Sequence, residues 1–208
     1  MRVTNLNPAD TLGASAWLVE TGGHRILLDA GTCPGVEGRA GLPLYSQVAE
    51  QDVDAIAISH CHQDHCGSLP VALRHFPQAR VLMTEPSYFL IERVLHNSVN
   101  VMKRQRTERN IPDYPLFHHN EVDEFSYLFQ GFKYGKPEPW SPVRPGTADE
   151  PAPTVSFHPA GHVLGSAGLR VAHGRESLFY TGDVCFHDQT LSPKADFSGT
   201  QSDVLILE

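Results

Sequence analysis

Eight short runs of aliphatic or β-branched residues punctuate the chain, at residues 16–20, 25–28, 55–59, 80–83, 154–158, 169–172, 177–180 and 203–207. Each is bounded by turn-forming or polar residues and is predicted to be a strand. Three further stretches read as helices. Residues 68–75 begin at Ser68, a capping residue type. Residues 87–103 carry Phe89, Leu90, Val94, Leu95, Val101 and Met102 along one face, and residues 120–129 begin at Asn120, another cap. Strands interleaved with helices predict an α/β fold. Between residues 136 and 153 stand Pro137, Pro139, Pro142, Pro145, Pro151 and Pro153. They are too many for a buried strand or a helix interior, so 137–153 is expected to be an exposed, unpaired surface excursion within one domain.

Composition narrows the picture only a little. With 208 residues, 40% hydrophobic and 19% charged, the chain has an ordinary globular balance and enough length for one sizeable core. A formal charge of -8 argues against a surface built mainly to grip nucleic acid, although bound divalent cations would reduce that charge. The opening M-R-V-T-N-L-N-P-A-D has no apolar signal core, and no apolar run is long enough to span a bilayer. Cys33, Cys61, Cys66 and Cys185 form no C-x-x-C pair. Reduced thiols and a cytoplasmic location are the expectation, with no membrane partner.

Residues 59–68 then change the picture: S-H-C-H-Q-D-H-C-G-S crowds His60, His62, Asp64 and His65 together directly after the predicted strand D-A-I-A-I-S. Open α/β sheets carry their sites at the carboxyl ends of strands. In an extended segment His60 and His62 point to one side, while Asp64 and His65 diverge where the chain turns into a helix, so one loop can serve two metals. Imidazole and carboxylate are donors suited to zinc with an open position for water. A solvated histidine-rich loop is the plain alternative. With 12 His and 12 Asp in 208 residues, chance would produce H-x-H-x-D-H on the order of two times in a thousand shuffled chains. Two later strand ends add the same chemistry: A-G-H-V-L-G-S-A holds His162 and F-Y-T-G-D holds Asp183.

H-C-H-Q-D-H followed by His162 and Asp183 resembles the metallo-β-lactamase superfamily, and I-L-L-D-A-G around Asp29 resembles its first motif. L-D-A-G-T-C-P-G, S-H-C-H-Q-D-H-C-G-S-L-P, A-G-H-V-L-G-S-A, Y-T-G-D and D-V-L-I-L-E together resemble the β-CASP nucleases of RNA processing, over nearly the whole chain except residues 103–153. The resemblance implies a metallo-β-lactamase-like αββα sandwich, incomplete at the C-terminus, with residues 1–208 as the N-terminal part of the domain. It implies two zinc ions per complete site: one on His60, His62 and His162, the other on Asp64 and His65, with Asp183 bridging. Asp29 would support the site by hydrogen bonding, although a turn residue is its plain alternative. The implied reaction is hydrolysis of RNA phosphodiester bonds, with DNA as the other candidate, through a metal-bridging hydroxide. Asp64 would orient the hydroxide and Glu208 would position the acid that protonates the leaving oxygen. The β-CASP insert, its two catalytic histidines and the rest of the second sheet are not in this sequence. Function is therefore expected of a longer parent, the 208 residues alone being inactive. A homo-oligomer or an RNA-processing complex is the implied assembly.

Other readings stay open beside this one. A thioester or lactone hydrolase would share the fold, and a non-catalytic scaffold subunit would be expected to have lost ligands. Cys61 and Cys66 are read as small buried thiols rather than ligands, and Cys185 likewise. His118 and His119 are expected to be exposed, and His24, His75, His96, His158, His173 and His187 have no partner spacing. Lys103, Arg104, Arg106 and Arg109 would either follow RNA phosphates or form a solvated helix end. Gly161, Gly165 and Gly168 would let backbone pass close to the metal loop.

Overall fold

A computed structural model describes residues 1–8, 13–48, 53–141 and 151–208. Its first sheet has six strands in sequential order: β1 (Arg2–Asn5), β2 (Trp17–Thr21), β3 (His24–Leu28), β4 (Ala55–Ala57), β5 (Arg80–Thr84) and β6 (Phe129–Phe132). The pairings from β1 to β3 are antiparallel, and those from β3 to β6 are parallel. The helices α1 (Gln63–Cys66), α2 (Leu69–His75), α3 (Glu85–Glu108) and α4 (His119–Phe125) all lie in the stretch between β4 and β6. Parallel strands need such crossovers. The second sheet comprises β7 (Glu138–Pro139), β8 (Thr154–Pro159), β9 (Ala167–His173), β10 (Glu176–Tyr180) and β11 (Val204–Ile206), in spatial order β11-β10-β9-β8-β7.

The central strands β3, β4 and β5 are apolar on both faces, and the period of two sorts their side chains into two cores. Leu27, Ile56, Ile58, Val81 and Met83 face the helices, where they meet Leu69, Leu73, Ile91, Leu95 and Val122. The alternate residues Ile26, Leu28, Ala55, Ala57 and Leu82 face the second sheet and meet Val155, Phe157, Leu169, Val171, Leu178 and Tyr180. Helices, sheet, sheet is thus the layer order. The fold is the α/β sandwich expected, and among the described residues no helix covers the outer face of the second sheet.

Four elements depart from the sequence reading: β1, β6, α4 and β7. β1 and β6 were not expected; R-V-T-N has a single aliphatic residue, and the predicted helix 120–129 ran into Phe129, the first residue of F-Q-G-F. That helix stops at Phe125, and its cap is His118 rather than Asn120: the His118 N–H donates to Glu121 Oε2 at 2.8 Å in a capping box. The proline-rich segment is also partly ordered into the sheet. Glu138 and Pro139 pair with Val155 and Thr154, on the edge position where proline is tolerated, and Trp140 is fully buried between the sheets. Residues 142–150 of that segment lie outside the described residues.

Candidate metal centre

The carboxyl ends of β3, β4, β8, β10 and β11 all open onto one place, and each delivers a polar residue there: Asp29, His60, His162, Asp183 and Glu208. His62 caps α1 in extended conformation, and the single turn of α1 carries Asp64 and His65. Close backbone packing makes this possible. A Cβ on Gly31 would stand 1.6 Å from the Asp64 carbonyl oxygen, and one on Gly161, whose φ is +72°, would stand 2.3 Å from the Cys185 carbonyl oxygen. The Ser59 carbonyl accepts from Ala167 N–H at 2.9 Å, tying the His60 strand end to the second sheet. The His162 loop is braced from the first sheet, where Thr84 Oγ1 and Ser87 Oγ donate to the Gly165 carbonyl at 2.7 and 3.2 Å.

His60, His62, His162 and Asp183 bring one donor atom each to within 4.8 Å of one another, and His65, Asp183 and Glu208 do the same on the other side of Asp183. Asp64 Oδ2 stands 3.8 Å from His65 Nε2 at the rim of the second group. His162 Nε2 is 3.2 Å from both His62 Nδ1 and Asp183 Oδ2. Asp29 is buried behind these groups with φ +62°, a left-handed conformation that aspartate tolerates better than most residues. Its Oδ1 accepts from Ser59 N–H at 2.7 Å, and its Oδ2 accepts from Ser59 Oγ, His65 Nδ1 and Tyr180 Oη at 2.6, 2.8 and 2.8 Å. Ser15 Oγ donates to Glu208 Oε1, and Tyr180 Oη, with one proton to share between two carboxylates, contacts Glu208 Oε2 as well as Asp29 Oδ2.

Hydrogen bonding fixes which imidazole nitrogens are offered. Ser59 Oγ spends its proton on Asp29, so the contact at 3.1 Å has His60 Nδ1–H as donor, and His60 Nε2 is left as a buried lone pair with no hydrogen-bond partner. His65 gives its Nδ1 proton to Asp29 in the same manner, leaving Nε2 to face Asp183 Oδ1 at 3.5 Å. This is the arrangement in which metal-binding histidines are held by a partner behind the ring. Burial, with His65 and His62 alongside, pushes the His60 imidazole down to about 2. Burial also acts to lower His65, but hydrogen bonds to Asp183 and Asp29 outweigh it and hold it up to about 11. The hydrogen bond from His65 outweighs burial in turn and holds the Asp183 carboxyl down to about 2. Carboxylates of Asp29, Asp64, Asp183 and Glu208 surround these rings, an environment that favours positive charge. The donor set fits a divalent metal.

The fold brings His60, His62, Asp64, His65, His162, Asp183, Asp29 and Glu208 together at one strand-end cleft. Sequence reasoning passed over Ser59 and Tyr180 as partners, although both stand in the motifs; a tyrosine ending a buried strand needs a partner for its hydroxyl, and that is the signal. Cys66 is fully buried in the helix-side core and Cys61 partly so, and burial pushes both thiols up, Cys61 to about 11. Arg104 pairs with Glu108 at 3.7 Å, Arg106 donates to the Tyr114 carbonyl at 2.7 Å, and Arg109 to Glu37 at 2.5 Å. Those three cations thus serve the end of α3. His96 and His119, expected to stand apart, are in contact.

The sequence profile described as Metallo-beta-lactamase superfamily matches residues 9–203. The chain belongs to this superfamily. Among solved structures, MEM-A1, a subclass B3 metallo-beta-lactamase from a soil metagenome library, shares the fold with a TM-score of 0.53 and 18% identity over 94% of this chain and 73% of that one. Endoribonuclease YSH1 of Gibberella zeae is 29% identical over 205 residues, 98% of this chain and 23% of the relative. Ribonuclease TTHA0252 of Thermus thermophilus is 33% identical over 214 residues, 98% of this chain and 44% of the relative. This superfamily chain therefore spans between about a quarter and under a half of the length of these curated relatives. A metallo-beta-lactamase fold with this cluster is a divalent-metal site, and no helix among the described residues is long and apolar enough to cross a membrane.

Proposed function

We propose that the complete protein is a zinc-dependent nuclease of β-CASP type that hydrolyses RNA phosphodiester bonds. His60, His62 and His162 would hold one zinc, Asp64 and His65 the other, and Asp183 would be shared. The observation that carries this reading is the convergence of these donors and Glu208 on one strand-end cleft, in a chain that aligns over nearly its whole length with ribonucleases. Zinc bound there would supply Lewis-acid charge at a phosphoryl oxygen and lower the pKa of water. Asp64, at the rim, accepts a hydrogen bond from the attacking water and aims it. Glu208, gripped by Ser15 and Tyr180, orients the acid that protonates the leaving oxygen, and Asp29 keeps His65 in its ligating tautomer. The proposed setting is the cytoplasm, with RNA as the substrate and an RNA-processing complex or a homo-oligomer as the assembly. A scaffold role is disfavoured because none of the donors has been lost.

The test is cleavage of a single-stranded RNA by the full-length protein and its His62→Ala and Asp183→Ala variants. Cleavage should fall by orders of magnitude in both while circular dichroism is unchanged. A folded, metal-stripped variant that still cleaves RNA would refute the metallonuclease reading.

A further inference from the structure

Away from the strand-end cleft, on the outer side of the helical layer, four side chains from α3 and α4 meet. Glu92 and His96 lie one helical turn apart on α3, and His119 and Asp123 hold the same spacing on α4. The His96 and His119 rings stack at 5.1 Å and 26°, with their Nδ1 atoms 2.8 Å apart. His96 Nε2 stands 3.2 Å from Asp123 Oδ1 and 3.9 Å from Glu92 Oε1. The donor atoms of Glu92, His96 and Asp123 all fall within 4.8 Å of one another.

The hydrogen bonds decide which nitrogen carries which proton. The Asn100 side-chain oxygen Oδ1, 3.2 Å from His119 Nε2, can only accept, so His119 carries its proton on Nε2. Desolvation, Lys103 and His96 lower the basicity of His119, and with the proton on Nε2 its Nδ1 lone pair faces His96. His96 Nδ1 must be the donor across the 2.8 Å contact. That leaves His96 Nε2 aimed at two carboxylates, an arrangement that a lone pair alone would make repulsive. Something positive must stand there, either a proton or a metal ion. The His96 ring is already oriented as metal-binding histidines are, with Nδ1–H held by a partner and Nε2 presented, and His119 and Asn100 form the supporting relay.

We propose that Glu92, His96 and Asp123 form a second, separate divalent-metal site of zinc type that clamps α4 onto α3. One imidazole and two carboxylates are a three-donor set that leaves a fourth position for water or an exogenous ligand. The carboxylates are more than half exposed and the ring less than a third, so the site exchanges metal with solvent. Its role is structural: the cap Thr84 and the first-turn Ser87 of α3 brace the His162 loop, so fixing the following turns of this helix at Glu92 and His96 stiffens a wall of the strand-end cleft.

The experiment is calorimetric titration with Zn2+ alone, on a background of Asp183→Ala, so that loss of the strand-end centre and loss of this site are separately visible. The background protein should bind one more equivalent of zinc than the same protein carrying His96→Ala or Asp123→Asn. His119→Phe, which keeps all three donors but removes the acceptor behind His96, should weaken that equivalent about tenfold or more. Histidine ring 15N spectra should show the His96 Nε2 resonance move on zinc addition. Equal stoichiometry in the background protein and both ligand variants, or a His96 Nε2 resonance that ignores zinc, would overturn the proposal and leave an imidazolium ion pair in its place.

Discussion

Among the described residues Asp29 holds the most heavily used carboxylate, with four hydrogen-bonding groups on its two oxygens, and His65 depends on it for its tautomer. In Asp29→Asn the amide oxygen can keep the Ser59 N–H bond, but the NH2 group then faces His65 Nδ1 and drives that ring's proton onto Nε2, the nitrogen needed for metal. Zinc affinity, measured by competition with a chelating dye, should fall about 10–100-fold. Unchanged affinity would mean that the hydrogen bond does not set the tautomer. At this scale the sequence was most legible: His60, His62, Asp64, His65, His162, Asp183, Asp29 and Glu208 all stand in short quoted motifs, and all reach one cleft. What was not legible is contact between residues far apart in the chain. The approach of His96 to His119 needs α3 and α4 packed, and neither segment alone announces it, although Glu92 and His96 at i,i+4 were a readable hint.

Helix α4 is pinned by a charge as well as by its apolar face. Glu121 caps its N-terminus and receives Arg74 of α2 through Nε and Nη2 at 2.5 and 2.8 Å. Burial works to raise the Glu121 pKa, but Arg74 and the His118 N–H outweigh it and hold the carboxyl below its ordinary value. A carboxyl depressed in the folded state contributes stability that is fully present above its unfolded pKa of about 4.3 and is lost as pH falls through the lower folded value. Glu121→Gln keeps a capping oxygen and removes the charge. Urea midpoints should therefore show the variant less stable than wild type at pH 7, with the difference closing in acid; a difference independent of pH would contradict this. Legibility at the element scale followed apolar density. The eight aliphatic runs are all strands to within about two residues at each end, whereas β1, β6 and β7 were missed because they are edge or short pieces with few apolar residues. Ser68 precedes α2 as expected, yet its hydroxyl donates to the Gly31 carbonyl at 2.7 Å and bonds Tyr45 rather than capping the helix.

The whole molecule depends on two sheets keeping a fixed distance, because Asp29, His60 and His65 come from one while His162, Asp183 and Glu208 come from the other. Trp140 is the largest fully buried side chain in the core between them among the described residues. Trp140→Ala should cost about 3–5 kcal/mol of stability by loss of transfer energy and by the cavity left behind. Thermal unfolding would register it, and a loss under about 1 kcal/mol would mean that the packing between the sheets does not rely on this residue. Proline content alone hid that anchor, since it read 137–153 as unpaired while the sheet edge takes in Glu138 and Pro139 and the core takes in Trp140. Across the sheets, the two donor groups are unequal: three imidazoles stand with Asp183 in one, and a single imidazole stands with Asp183 and Glu208 in the other. Imidazole is the better zinc donor, so the first position should fill first. The decisive measurement is anomalous X-ray diffraction on either side of the zinc edge, from crystals of this chain grown with zinc. The account predicts a strong peak among His60, His62, His162 and Asp183 and a weaker one beside it among Asp64, His65 and Asp183. Crystals saturated with zinc that show no anomalous density at this cluster would contradict it.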